Sequence, residues 1–384
     1  MNNQLGNWQF YNPVQIFSGR DCRTIINQYL QNKNLLLVSS MRGRTRLSKD
    51  YYLKELLKNN KIYWLDTVTE NPGLTYLQKS IDSLVNIRVD AIVAFGGGSV
   101  IDAAKVIRIS LAEKCKKISL IKLLENPEIY AQAELTPLYA IPTTAGTGSE
   151  VTPFATVWHH EIHKKLSLSG RNIFPTVAIV DSALSDDLPI KETISTGLDA
   201  INQAAESIWN KNANSITLAY AFKALELGLQ ALPLLTKDST NQNARDAMAE
   251  ASLLAGLAIS HTRTALCHSI SYPLTAHFSV PHGLACAFTM PAVLNFNLLA
   301  DDGRLEDLSK RLTGSTNTNL LLKIFEQLNT NLSVKNHVKE YIKNFDDLLL
   351  LKKEMINADR AENNLSKITD RAINKILHSA WQQK

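Results

Sequence analysis

The sequence predicts two domains of different class: an α/β domain on a mostly parallel sheet over residues 1–183, then an all-α domain over residues 184–384. Three observations carry this. Short apolar, β-rich runs alternate with helical stretches as far as Val180, the pattern of strands joined by crossover helices. From about Ile190 onward the spacing is helical, with almost no β-branched runs. Between the two, Asp, Ser and Pro cluster over Asp181 to Pro189, where a boundary is expected.

In chain order, Leu35 to Val38 is a continuous apolar run of the buried-strand type, and Lys61 to Leu65 reads as a second strand. Leu74 to Ile87 is a helix with Leu74, Leu77, Ile81, Leu84 and Val85 on one face. Ala91 to Phe95 is another buried strand, running straight into Gly96-Gly97-Gly98 and a helix from Ser99 to about Ala112. Leu138 to Ile141 and Val177 to Val180 complete the strands. In the second half, Leu218 to Leu232, Asn243 to Ser260 and Asn319 to Gln327 carry helical spacing, and Asp346 to Lys384 reads as amphipathic surface helices. The crevice between an α/β and a helical domain is the default place for a ligand.

The chain has 384 residues and a net charge of 41 − 36 = +5, too weak an excess to suggest nucleic-acid binding. No apolar run approaches the roughly 18 residues of a membrane span, and the start of the chain is polar, unlike a signal peptide. The four cysteines, Cys22, Cys115, Cys267 and Cys286, are scattered and fit neither a disulfide framework nor a zinc knuckle, so reduced thiols in the cytoplasm are expected.

Three groups of residues carry chemistry. Gly96-Gly97-Gly98-Ser99 lies between a strand and a helix, where a backbone approaches a phosphate closely and the helix N-terminus offers free N–H groups; Asp102 and Lys105 follow on that helix. The same glycines serve equally well as a tight turn with no ligand. Pro142 to Glu150 follows a strand and gathers Thr143, Thr144, Thr147 and Ser149 around two glycines, a surface suited to phosphate, ribose or carboxamide. Asp199 and Gln203 share a helical face, and with His268 and His282 they make a donor set for Zn²⁺ or Fe²⁺. Taken alone, these last residues are read more simply as a helix cap and packed histidines.

The chain resembles the iron-containing (group III) alcohol dehydrogenases. The resemblance runs in family order through Tyr11-Asn12-Pro13-Val14, Gly96 to Lys105, Pro142 to Glu150, Gly197-Leu198-Asp199-Ala200, His268 and Pro281-His282-Gly283. It implies the fold shared with dehydroquinate synthase: an N-terminal dinucleotide-binding domain and a helical C-terminal metal-binding domain. It also implies NAD(P)-linked interconversion of aldehyde and alcohol, with a homodimer expected. Lys165 and Leu184 join Gly96, Gly97, Gly98, Ser99, Asp102, Thr143, Thr144, Thr147 and Ser149 as implied cofactor contacts. The family's metal site has an Asp and three His; Asp199, His268 and His282 match, and Gln203 stands where a fourth, histidine ligand is usual. His268 is then both ligand and catalytic residue. Tyr272 replaces a histidine that the family uses near the proton path.

The stretches Gln203 to Asn210 and Arg263 to Thr275 are similar to the phosphonoacetaldehyde reductase branch, which makes 2-hydroxyethylphosphonate. A dianionic substrate needs cations, and Arg263, His261 and His277 are candidates; Arg263 is equally read as a surface ion pair. After the strand ending at Val38 come Ser39 to Arg46, with three arginines and no carboxylate to meet the ribose hydroxyls of NAD. Ser40 and Arg42 therefore predict NADP(H) over NAD(H). The expected enzyme reduces a small aldehyde with NAD(P)H and a divalent metal, Fe²⁺ or Zn²⁺, without nucleic-acid or membrane partners. A general short-chain alcohol, diol or polyol dehydrogenase is the alternative. A dehydroquinate synthase-type lyase and a non-catalytic nucleotide-binding protein are further from the pattern.

Overall fold

Period-two alternation organises the first half of the chain. The structure, a computed structural model, describes residues 7–356 and 358–382. Its main sheet contains β1 (Gln15–Ser18), β2 (Asn34–Ser39), β3 (Lys61–Leu65), β4 (Ala91–Gly96), β5 (Leu138–Pro142) and β8 (Val177–Val180). These pair in parallel in the order β1-β8-β5-β4-β2-β3. Successive side chains go to opposite faces, as the strand pleat requires. Leu36, Val38, Ile92, Ala94, Leu138 and Ala140 pack into one core with the helices Leu74–Leu84 and Gly98–Ser110. Leu35, Leu37, Ala91, Val93, Phe95, Tyr139 and Ile141 pack into the other with Ile26, Leu47, Leu53 and Leu56. Both faces are covered, which is why β2, β4, β5 and β8 read as unbroken apolar runs.

All four central strands fall where the sequence predicts. Two features do not come from it. β1 is short and half-exposed, so its apolar signal is weak. β6 (Phe154–His159) and β7 (Lys164–Ser169) form an antiparallel hairpin whose turn puts His163 at φ 50°, in place of the glycine that ordinarily marks such a turn.

The second half is helical: Ile190–Ile208, Ser215–Lys237, Gln242–Thr262, Leu266–Phe278 and His282–Asn297 are followed by Arg304–Thr313, Thr318–Asn331, Val334–Tyr341 and several shorter helices, ending with Asp370–Gln382. The Ser215 helix starts at a capping box, in which Asn214 Oδ1 accepts from Thr217 N and Thr217 Oγ1 accepts from Asn214 N. Ser215–Lys237 and His282–Ala300 are long and apolar enough to cross a membrane, although no unbroken run in the sequence is; the second is mostly buried within this unit. The C-terminal segment is amphipathic as expected, with Ile373, Ile376, Leu377 and Ala380 buried. It is not merely superficial, because buried Asn364 exchanges hydrogen bonds with Asn297 at 3.0 and 2.8 Å.

The boundary falls between Leu188 and Pro189, not between 183 and 184. The described residues before Asn12 group with the helices rather than with the sheet. Phe10 stacks on His261 at 4.3 Å, and Tyr11 N donates to His261 Nε2 at 2.9 Å. His261, a candidate for substrate charge in the sequence, is engaged there.

Candidate active site and metal centre

In a parallel sheet with helices on both faces, ligands bind outside the carboxyl ends of the strands, where the strand order reverses. Here β4 lies between β2 and β5, with Ser39 opposite Phe95 and Gly96 opposite Pro142. The turns after β2, β4 and β5 therefore meet at one edge. Gly97 precedes the Gly98–Ser110 helix, whose N-terminus has no side-chain cap and no acidic residue in its first turn. Its free N–H groups and dipole suit an anion. A Cβ on Gly98 would lie 2.5 Å from Thr147 Cγ2, and one on Gly97 would lie 3.2 Å from Thr144 Oγ1. The glycine turn and the threonine loop thus form one cradle, which any larger residue would fill. Thr143 N donates to Gly96 O at 3.0 Å and seats the loop.

The other residues of this group play different parts. Ser99 Oγ accepts from Asn71 N at 3.2 Å. Asp102 accepts from Ser149 Oγ and from Thr156 N, tying its helix to the loop and to β6. Lys105 is wholly buried and donates to Ser149 Oγ, Thr152 O and Phe154 O. Burial pulls its ammonium down to about 8, against the nearby Asp102 and Glu150 charges. Burial likewise pushes the Glu150 carboxyl up to about 7, opposed by its backbone hydrogen bond and by Lys105. Ser40 caps the Met41–Lys49 helix through Gly43 N at 3.0 Å. Arg44 pairs with Asp66, and Arg46 donates to Leu184 O at 2.6 Å, whereas the exposed Arg42 has no ion pair among the described residues. Lys165 lies on β7 with its ammonium over the Trp158 ring at 5.9 Å.

In the helical unit, Asp199, Gln203 and Glu206 occupy successive turns of the Ile190–Ile208 helix and share a face. All three are buried. His268 Nε2 lies 3.3 Å from Asp199 Oδ1, and His282 Nε2 lies 3.9 Å from the same oxygen. Cys286, one turn after His282, completes the group. One donor atom from each of Asp199, His268, His282 and Cys286 lies within 4.8 Å of every other. From the sequence Cys286 is expected only as a reduced thiol; the structure places it beside the predicted ligands Asp199, His268 and His282. Its signal was present in the i, i+4 spacing from His282. Gln203 Oε1 is buried with no hydrogen-bond partner among the described residues. A carboxylate, two imidazoles, an amide oxygen and a thiol form a donor chemistry that fits a divalent transition metal.

Glu206 orients the group. Its carboxylate accepts from the backbone N–H groups of Ala265, Cys267 and His268, so it caps the Leu266–Phe278 helix from a neighbouring one. It also accepts from His268 Nδ1 at 2.7 Å, which leaves Nε2 facing Asp199. Burial disfavours a charge on His268, but Cys286, Glu206 and Asp199 override it and hold the imidazole well above its ordinary value. Burial keeps the Cys286 thiol raised, opposed by His268. A bound cation displaces such protons.

Tyr272 is half-buried beside this cluster, its ring parallel to His282 within 7° at 5.8 Å. The guanidinium of Arg360 stands 4.6 Å over the same tyrosine ring. No acidic partner of Arg360 occurs among the described residues, and nothing local in the sequence marks it out. Arg263 is exposed at the end of the Gln242–Thr262 helix, with φ 59°. His277 Nε2 meets Glu354 at 2.8 Å.

Comparison with known proteins agrees with this arrangement. Residues 13–182 match the iron-containing alcohol dehydrogenase family, and residues 193–381 match the C-terminal part of the Fe-containing alcohol dehydrogenase family. An NADPH-dependent butanol dehydrogenase of Clostridium saccharobutylicum is 33% identical over 76% of this chain and 74% of its own length. A phosphonoacetaldehyde reductase of Streptomyces viridochromogenes is 34% identical over 58% of this chain and 56% of its own. Among solved structures, sulfoacetaldehyde reductase from Bifidobacterium kashiwanohense in complex with NAD+ superposes with a TM-score of 0.86 at 25% identity, covering 99% of this chain and 100% of that one. With both halves matched and the donor set in place, the chain belongs to the iron-containing alcohol dehydrogenase family and is an NAD(P)-dependent oxidoreductase of the alcohol–aldehyde pair.

Proposed function

We propose that this enzyme reduces a small aldehyde bearing a dianionic head, phosphonoacetaldehyde in the first instance, to 2-hydroxyethylphosphonate. The observation that carries this is Arg360, a cation without an acidic partner among the described residues, on the face of Tyr272. The phosphonoacetaldehyde and sulfoacetaldehyde reductases among its relatives support an anionic substrate.

When bound, the divalent metal polarises the aldehyde oxygen and the dihydronicotinamide supplies the hydride. The chain's own residues do the rest. The Gly97-Gly98 turn receives the pyrophosphate on backbone N–H groups, with Thr143, Thr144 and Thr147 beside it. Asp199, His268 and His282 hold the metal, with Gln203 or Cys286 as a further donor, and Glu206 fixes the His268 tautomer. Tyr272 Oη donates a proton to the forming alcohol oxygen. Arg360 pairs with the head of the substrate and Arg263 adds positive potential, whereas His277 is engaged by Glu354. Ser40 and Arg42 receive a 2′-phosphate, giving NADPH preference.

A short-chain alcohol or diol dehydrogenase is the second reading, favoured by relatives named for butanol and 1,3-propanediol. The test is NADPH oxidation by protein loaded with Fe²⁺ or Zn²⁺, comparing phosphonoacetaldehyde with propionaldehyde. We expect kcat/KM at least tenfold higher for the phosphonate, since one charge-assisted contact contributes roughly 1.5–3 kcal/mol. Equal values would favour the second reading.

A further inference from the structure

We propose that the Cys286 thiolate is the fourth protein ligand of the metal, in an Asp199–His268–His282–Cys286 set in which Gln203 takes no part. The proposal rests on the metal-dependent reading above and goes beyond the ligand set that the sequence implies.

Geometry is the first argument. With metal–nitrogen or metal–oxygen bonds of roughly 2.0–2.1 Å and metal–sulfur bonds of about 2.3 Å, the edges of a tetrahedral site span about 3.3–3.6 Å. The protein holds His268 Nε2 and Asp199 Oδ1 at 3.3 Å, His282 Nε2 and Asp199 Oδ1 at 3.9 Å, and Cys286 Sγ and His282 Nε2 at 3.8 Å. These edges are within roughly 0.6 Å of closure before any cation draws them in. His282 and Cys286 sit one turn apart on one helix, so they present their donors from a single rigid element. That helix is anchored where it matters, because Asn202 Nδ2 donates to Cys286 O at 3.3 Å from the helix that carries Asp199.

Charge is the second argument. Cys286 is fully buried, and a buried thiolate is stable only against a cation. A thiolate and the Asp199 carboxylate together neutralise a divalent ion, whereas a Gln203 amide brings no charge. On binding, the S–H bond breaks, a sulfur–metal bond forms and the proton passes to solvent. The softer ligand also favours zinc or ferrous iron over magnesium, calcium or manganese.

The test uses metal-stripped full-length protein reloaded with Co²⁺, read by absorption rather than by turnover. Visible ligand-field bands report bound cobalt, and a near-ultraviolet sulfur-to-cobalt band reports a thiolate ligand. We expect both in the wild type, loss of the near-ultraviolet band alone in Cys286→Ser, and both retained in Gln203→Ala. Chelator competition should show Zn²⁺ binding weakened at least tenfold in Cys286→Ser and less than threefold in Gln203→Ala. Visible bands without the near-ultraviolet band in the wild type would overturn the assignment of Cys286 while leaving the metal centre standing, whether or not the serine variant folds. A wild type that takes up no cobalt would overturn the metal-dependent reading and this proposal with it.

Discussion

One methyl group at Gly283 is expected to dismantle the metal site without altering a ligand. Gly283 is the second residue of the His282–Asn297 helix, between His282 and the Ile190–Ile208 helix that carries Asp199. A Cβ there would lie 1.7 Å from Ser195 O, 2.7 Å from Ser195 C and 3.1 Å from Asp199 N. Carbon and carbonyl oxygen ordinarily approach no closer than about 3.3 Å, so the two backbones must part by roughly 1.6 Å. Metal–ligand distances tolerate only about 0.2 Å. The clash is with main-chain atoms, which no rotamer can move aside. Gly283→Ala should therefore separate His282 from Asp199, weaken metal binding at least tenfold, and destabilise the helical unit by about 1–3 kcal/mol. Metal content after gel filtration, with a thermal melt on the same sample, is the assay. A variant with stoichiometric metal and an unchanged melting temperature would refute the reasoning.

Four further outcomes are expected. Glu206→Gln keeps the shape but loses the charge behind His268, and should weaken metal binding about 10–100-fold in chelator competition; unchanged affinity would reduce Glu206 to a helix cap. Ser40→Asp should reverse a wild-type preference for NADPH, because a carboxylate repels the 2′-phosphate while still capping the helix through Gly43 N; a wild type that prefers NADH in kcat/KM overturns this. Arg360→Ala should raise KM for phosphonoacetaldehyde more than tenfold with little change for propionaldehyde, a selectivity that Arg263→Ala should show less strongly; equal losses for both aldehydes would make Arg360 structural. Glu150 has a folded value raised from 4.5 to about 7, so the stability it contributes is present below the lower value and lost as pH rises through the higher. The unfolding free energy of wild type minus that of Glu150→Gln should then fall by on the order of 3 kcal/mol between about pH 4 and pH 8, and a flat difference would contradict the burial argument.

Strands buried on both faces announce themselves locally, because every residue of such a run must be apolar. That is why β2, β4, β5 and β8 could be read directly, along with the glycine turn after β4. Same-face pairs on one helix are nearly as legible, since i, i+4 spacing places Asp199 beside Gln203 whatever else the helix does. The hairpin β6–β7 escaped because its turn uses His163 in a left-handed conformation that composition does not flag. The sequence groups Phe10 and Tyr11 with the α/β domain that follows them, because nothing in these residues points to His261, some 250 positions away.

By itself the sequence determined the two-part architecture and singled out Asp199, His268, His282 and the cradle-forming glycines, each readable within one element or its flanking turn. Tertiary structure alone decided that Glu206 stands behind His268, that Cys286 rather than some other thiol lies beside Asp199, His268 and His282, and that Arg360 rather than a nearer arginine covers Tyr272. Those are contacts between elements 62, 87 and 88 residues apart (206 to 268, 199 to 286, 272 to 360). Local periodicity says which face of an element is polar. It carries no information on which other element's polar face it meets, and that is set only when the apolar faces pack.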